Sequence, residues 1–225
     1  MPRVTEQMKE WMGSLGTEYT KRSPLNPDEE DENCKKRYGI TQMELNNLFI
    51  GRLDPAIKIL EVGSNIGNQL LLLQRMGFKN LYGIEINDYA IEFSKSRTKN
   101  IEIIQGSIFD IPFKDESFDL VFTAGVLIHI APSDIKMAMQ EVYRCAREYI
   151  WAYEYYAKEY TEIVYRTKKK LLWKADFPKL YLDFFRDLEL VKEKQLQYLD
   201  DENTDIMFLL KRRFTGGNLN ENTGR

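Results

Sequence analysis

Histidine and cysteine are almost missing from this chain. Its 225 residues hold one histidine, His129, and two cysteines, Cys34 and Cys145. That scarcity excludes a His- or Cys-rich structural zinc site, which takes four such ligands, so no metal is expected. It also leaves imidazole-dependent chemistry with a single residue. The two thiols stand at no spacing that suits a redox or metal pair, and they read as inert groups of a reducing compartment. Long apolar runs are absent too. Stretches such as Leu70–Leu73 and Val121–Ile130 fall far short of the ~20 residues that span a bilayer. The opening MPRVTEQMKEWMGSLG lacks the apolar centre of a signal peptide. The expectation is a soluble, cytoplasmic protein with no membrane partner. A positive surplus is likewise missing. Lys and Arg number 32 against 35 Asp and Glu, a net charge of −3. That argues against nucleic acid as a partner, because clustered positive charge drives such binding.

What is present is ordinary globular chemistry, 43% hydrophobic and 30% charged. It suffices for one core of the size that buries ~70% of the unfolded surface. Residues 1–39 are polar, with an amphipathic stretch at Met8, Trp11 and Met12. The segment SPLNPDEEDENCKKR follows, and its prolines and acids predict loop. This region is expected to form a helix/loop flap. Helical spacing returns over 41–52. From residue 57, strands over 57–62, 81–86, 101–105, 118–124 and 149–155 alternate with helices over 66–76, 88–97 and 132–146. Such alternation predicts βαβ units and a parallel sheet with right-handed connections. Residues 157–187 show no clear strand, and 177–188 read as helix. Strand-like segments over 188–198 and 205–211 flank the turn LDDENT, which makes them an antiparallel hairpin. The predicted fold is α/β, a seven-stranded mixed sheet of five parallel strands plus that hairpin, with helices on both faces. Residues 214–225 read as a disordered tail.

The strongest motif is ILEVGSNIGNQL. An apolar strand ends at Glu61-Val62, a loop carries Gly63, Ser64, Asn65 and Gly67, and a helix begins. Glycines let backbone approach a ligand closely, and a helix start offers free N–H donors. The next strand ends in Glu85, followed by Ile86, ~20 residues beyond Gly63, where an acid can accept hydrogen bonds from ribose hydroxyls. A dinucleotide fingerprint would need G-x-G-x-x-G. Here Asn65 stands at the middle position. Asn tolerates the left-handed conformation, but its side chain hinders close approach of a pyrophosphate. A nucleoside cofactor without pyrophosphate fits better, and a nicotinamide-dependent oxidoreductase is the lesser alternative.

The run EVGSNIG, then GIEIN, then GSIFDIPFKDESFDLVF, then a last strand in a hairpin, resembles the class I S-adenosylmethionine-dependent methyltransferases over residues 40–213, with their Rossmann-like sheet. KEWMGSLGTEYTKRS, FTAGVLIHIAPSD, YEYYAKEYTEIVYR and KKKLLWKADFP are similar to methylases associated with pseudaminic acid biosynthesis. The resemblance implies S-adenosylmethionine as cofactor and a small-molecule acceptor, a sugar or nonulosonic-acid-related hydroxyl or amine. It implies that Gly63–Gly67 hold the methionine part and that Glu85 and Ile86 meet the ribose. Ser107 and Ile108 would meet the adenine, and Thr123 and Gly125 would line the methyl-transfer face. Tyr19 and Arg22 would close over the cofactor. A non-catalytic cofactor-binding partner subunit is the alternative within the same fold.

His129 follows the fourth strand, where a neutral imidazole can take a proton from a substrate hydroxyl or amine. Substrate positioning and plain packing under the next helix are the other two roles open to it. Tyr155 and Tyr156 end the fifth strand, and Tyr165 and Arg166 follow in a long connection. They read as a substrate wall, or as aromatics filling core beneath a lid. The basic cluster Arg166, Lys168, Lys169, Lys170 and Lys174 would attract an anionic substrate group, or form a solvated face.

Overall fold

The structure is a computed structural model and describes residues 3–213. Four helices precede the first strand: α1 (Glu6–Met12), α2 (Ser14–Arg22), α3 (Pro27–Tyr38) and α4 (Gln42–Ile50). Helix α3 occupies the segment expected to be loop. Its apolar stripe is weak, with only Pro27 and Cys34 buried, but its ends are well made. The Asn26 side chain accepts from the Glu29 N–H, and Pro27 opens the first turn beside Asp28, Glu29 and Glu30. Lys35, Lys36 and Arg37 fill the last turn before Gly39, which turns left-handed at φ 78°. Caps and charges matched to the helix dipole stabilise it where periodicity does not.

The alternating segment follows as β1 (Lys58–Val62), α5 (Asn68–Arg75), β2 (Asn80–Glu85), α6 (Asp88–Lys95), β3 (Glu102–Gln105), β4 (Phe118–Ala124), a short 3₁₀ turn (Leu127–His129), α7 (Ile135–Cys145) and β5 (Ala146–Tyr155). Then come β6 (Thr161–Tyr165), β7 (Lys168–Lys174), α8 (Phe177–Phe184), β8 (Leu188–Gln197) and β9 (Thr204–Arg212). The main sheet has seven strands in the order β3-β2-β1-β4-β5-β9-β8. The pairs among β1 to β5 are all parallel. Strand β9 is antiparallel to β5, and β8 is antiparallel to β9. Successive residues of β1 enter different cores, as strand alternation demands. Leu60 and Val62 pack with Met139 and Val142 of α7, while Ile59 packs with Leu45 of α4 and Leu70 and Leu73 of α5. Helices therefore cover both faces.

Strands β6 and β7 correct the reading of 157–187 as strandless. They form a separate antiparallel hairpin, with Glu162 opposite Trp173 and Ile163 opposite Leu172. Its turn places Arg166 and Thr167 at φ 47° and 69°. A two-residue hairpin turn favours positive φ at both centres, normally supplied by Asn or Gly. The usual turn residues are absent, and the exposed Lys168–Lys170 run hides the alternation. The expected tail over 214–225 lies outside the described residues.

Candidate functional site

A cavity of about 530 Å³ opens at the carboxyl ends of β1, β2, β4 and β5, with α1, α2 and α3 over it. Ligands of open α/β sheets bind at this edge. The glycine loop forms its floor. Gly63 sits at φ 75°, and a Cβ there would come within 2.6 Å of Val126 Cγ2. Both the backbone angle and the space call for glycine. Asn65 adopts φ 46°, the left-handed state that Asn tolerates. Its side chain also has partners. Thr20 Oγ1 donates to Asn65 Oδ1 at 2.8 Å, and Asn65 Nδ2 donates to Ser23 Oγ at 2.8 Å. Asn65 thus ties the loop to helix α2 and its C-cap.

Glu85 is buried at the tip of β2. Its Oε2 accepts from the Asn65 N–H at 2.8 Å, and its Oε1 accepts from Ile86 and Asn87 at 2.8 and 2.9 Å. Burial raises its pKa, and those backbone donors oppose the rise. A carboxylate offers about four acceptor sites, so three backbone bonds leave room for one more without rearrangement. Glu61 Oε2 and Ser64 Oγ are buried without a hydrogen-bond partner, and both residues line the cavity. Burial first, then the charges of Glu85 and Glu30, push the Glu61 carboxyl well up. An unsatisfied buried acid favours a ligand that brings a donor or a positive charge. The ammonium, sulfonium and hydroxyls of S-adenosylmethionine fit that demand. Glu61, Ser64, Asn65 and Glu85 are the residues that would hold it.

Helices α1 and α2 are latched over this floor. Asn87 Nδ2 donates to the Trp11 carbonyl at 3.0 Å. Gln7 Nε2 donates to the Lys170 carbonyl at 3.0 Å, and Lys168 pairs with Glu10 at 2.6 Å. The unforeseen β6–β7 hairpin is therefore the partner of helix α1.

The same hairpin fixes His129. Its Nδ1 lies 2.7 Å from the Leu171 carbonyl. A carbonyl only accepts, so Nδ1 carries the proton and Nε2 keeps a free lone pair. Burial lowers the imidazole pKa to about 4, against the pull of that carbonyl. The ring is neutral at pH 7. Trp11 packs against it at 4.3 Å between centroids, and Tyr165 at 5.8 Å.

Of the residues singled out in the sequence, Tyr19, Arg22, Gly63, Ser64, Asn65, Glu85, Ile86, Ser107, Ile108, Gly125, His129, Tyr155 and Tyr165 line the cavity. Four do not. Gly67 starts α5 at φ 81° and faces Ile103 and Thr98. Thr123 is sealed in the sheet at 1% exposure. Tyr156 lies beyond β5 and packs against the core. Arg166 sits at the exposed hairpin tip, over the Tyr165 ring. None of Lys168, Lys169, Lys170 and Lys174 lines the cavity either, so the basic cluster does not supply an anion subsite there. Glu154, at the ligand-side end of the fifth strand beside Tyr155, lines it too, while Trp11, Arg37, Tyr153 and Asp205 line it and were not foreseen. Nothing local links Arg37 or Asp205 to the glycine loop. Among the described residues, no group of three or more His, Cys, Asp or Glu side chains could hold a metal ion. No described helix is long and apolar enough to cross a membrane.

Residues 60–149 match the methyltransferase-domain family. Sterol methyltransferase-like 1 of Botryococcus braunii is 30% identical over 117 residues, which cover 48% of this chain and 30% of that protein. The chain spans only 25% to 30% of the length of the sterol methyltransferase relatives it matches. Magnesium protoporphyrin IX methyltransferase from Synechocystis PCC 6803, solved with bound S-adenosylmethionine, superimposes with a TM-score of 0.66 at 10% identity, over 94% of this chain and 100% of that one. The 1,6-didemethyltoxoflavin-N1-methyltransferase of Burkholderia thailandensis, solved with S-adenosylhomocysteine, gives 0.66 at 9% identity, over 95% of this chain and 92% of that one. Residues 60–149 thus match a methyltransferase domain, and the chain shares the fold of a methyltransferase solved with bound S-adenosylmethionine.

Proposed function

We propose that this protein is an S-adenosylmethionine-dependent methyltransferase acting on a hydroxyl or amine of a small polar molecule of the sugar or nonulosonic-acid kind. One observation carries the reading. The glycine loop, the acid Glu85 and the unsatisfied acid Glu61 share a cavity with His129, whose free Nε2 is an acceptor. When bound, the cofactor supplies an electrophilic methyl group. The chain's own work is alignment, since methyl transfer depends more on the geometry of attack than on a strong base. With a pKa near 4, His129 is a weak base. Its Nε2 orients the acceptor's O–H or N–H and receives the proton as the nucleophile loses it.

A polar acceptor is supported by the flank of the cavity away from β2 and β3, where Arg37, Tyr153, Tyr155 and Asp205 stand. Asp205 is 2% exposed and its Oδ1 has no hydrogen-bond partner. Such a lining penalises a wholly apolar sterol nucleus and rewards a hydroxylated ring stacked on tyrosine. The test is calorimetry of the purified protein with S-adenosylhomocysteine, with NAD as control. Micromolar binding of the first and none of the second is expected. No heat with S-adenosylhomocysteine refutes the reading. Incubation with labelled cofactor and an extract of the source cell then identifies the acceptor. A labelled sterol in place of a polar product would overturn the acceptor class.

A further inference from the structure

Glu154 is the buried acid that the reading above leaves unused. It lies near the carboxyl end of β5, 1% exposed, and borders the cavity. We propose that Glu154 is a positioning residue of the transfer site, whose carboxylate fixes the loop after β4 and, through that loop, both the glycine loop and His129. The proposal rests on the methyltransferase reading.

The contacts form a continuous chain. Glu154 Oε1 accepts from the Val126 N–H at 3.2 Å, and Oε2 accepts from the Ile128 N–H at 3.4 Å. These donors open the 3₁₀ turn Leu127–His129, which has no side-chain cap of its own. Helical turns leave their first N–H groups unpaired, and a buried pair of such donors needs an acceptor from elsewhere. Glu154 supplies it from the neighbouring strand. Val126, held by one oxygen, is the residue whose side chain rests on Gly63, within 2.6 Å of where a Cβ would stand. Ile128, held by the other oxygen, directly precedes His129. Gly125, at φ 67°, is pinned by its N–H to the Tyr153 carbonyl at 2.8 Å. The loop thus hangs from β5 at three points, and two of them are one carboxylate.

Among the described residues, no cation acts on Glu154 from the elements packed on it. Its neighbours are the Thr123 hydroxyl on β4, Tyr160 in the connection after β5 and Tyr181 on α8. The anion is held by neutral donors alone, and burial raises its pKa to about 7. The charged form makes the stronger, charge-assisted bonds. Protonation therefore loosens the loop without unfolding the protein.

The test compares the full chain with Glu154→Gln, which mimics the protonated acid in shape. S-adenosylhomocysteine affinity is measured by calorimetry at pH 5.5, 7.0 and 8.5. Wild type should bind at least tenfold more tightly than the variant at pH 8.5, with the ratio falling toward one at pH 5.5. Taking a ratio removes the pH dependence contributed by Glu61 and Glu85, which both proteins share. A ratio that does not change with pH overturns the proposal. Wild type carries a second readout that needs no variant. The His129 ring resonances should show an inflection near pH 7 besides their own at lower pH, and its absence also overturns the proposal. Failure of wild type to bind S-adenosylhomocysteine at any pH refutes the methyltransferase reading instead, and the His129 resonances still decide the role of Glu154.

Discussion

Because the chain contains a single histidine, its ionisation can be followed without assignment. Burial moves the His129 pKa from 6.5 to about 4. The fold favours the neutral ring, so the unfolded chain binds the proton more readily below pH 6.5. Stability from this group is complete above pH 6.5 and is lost as pH falls toward 4. A fall from 6.5 to about 4 corresponds to about 3 kcal/mol of differential stability. The ring is partly exposed to a cavity that admits water, so this figure is a ceiling. The perturbation is His129→Gln, which keeps a polar side chain and cannot titrate. Urea unfolding at pH 7.5, 6.0 and 5.0 should show the gap between wild type and variant narrowing by about 1–2 kcal/mol over that range, the part of the loss reached by pH 5. Nitrogen-15 shifts of the imidazole should report a proton on Nδ1 and a midpoint near 4. A midpoint near 6.5, or the opposite tautomer, would refute both the burial argument and the bond to the Leu171 carbonyl.

Three further outcomes are expected. Glu85→Ala should weaken S-adenosylhomocysteine binding at least tenfold by calorimetry, and should cost about 1–3 kcal/mol in urea unfolding because buried backbone donors lose their acceptor. Gly63→Ala should destabilise the fold by about 1–3 kcal/mol through its positive φ, and by more through its clash with Val126, so a melting point unchanged from wild type would contradict the fit of the two loops. Arg166→Ala, at the exposed hairpin tip, should leave cofactor affinity and turnover within twofold of wild type, and a large loss of turnover would show that the hairpin reaches the acceptor.

The order of strands and helices over 57–155 was legible because each buried strand is a short apolar run and every connection except β3–β4 carries its own helix signal. The glycine loop and Glu85 were legible for a related reason. Their chemistry depends on residue type at fixed spacing along β1 and β2, which are neighbours in both sequence and sheet. Asn65 was legible as a left-handed residue, but its bonds to Thr20 and Ser23 cross more than 40 residues and follow from no local rule. Helix α3 was not legible because the prolines and acids that read as loop are the residues that open its first turn. The β6–β7 hairpin was missed because its turn lacks Gly and Asn.

The sequence by itself determined the parallel sheet, its closing hairpin and the position of the glycine loop, because these follow from periodicity and from glycine and acid at set intervals. It also determined that any imidazole in the site is His129. The tertiary structure alone decided what that imidazole is: neutral, protonated on Nδ1, and held by a carbonyl 42 residues away on a hairpin that sequence did not reveal. It likewise drew Glu154 beneath the same loop and left the lysine cluster outside the cavity. Protonation state and side-chain direction depend on what packs around a group, and those neighbours are distant along the chain.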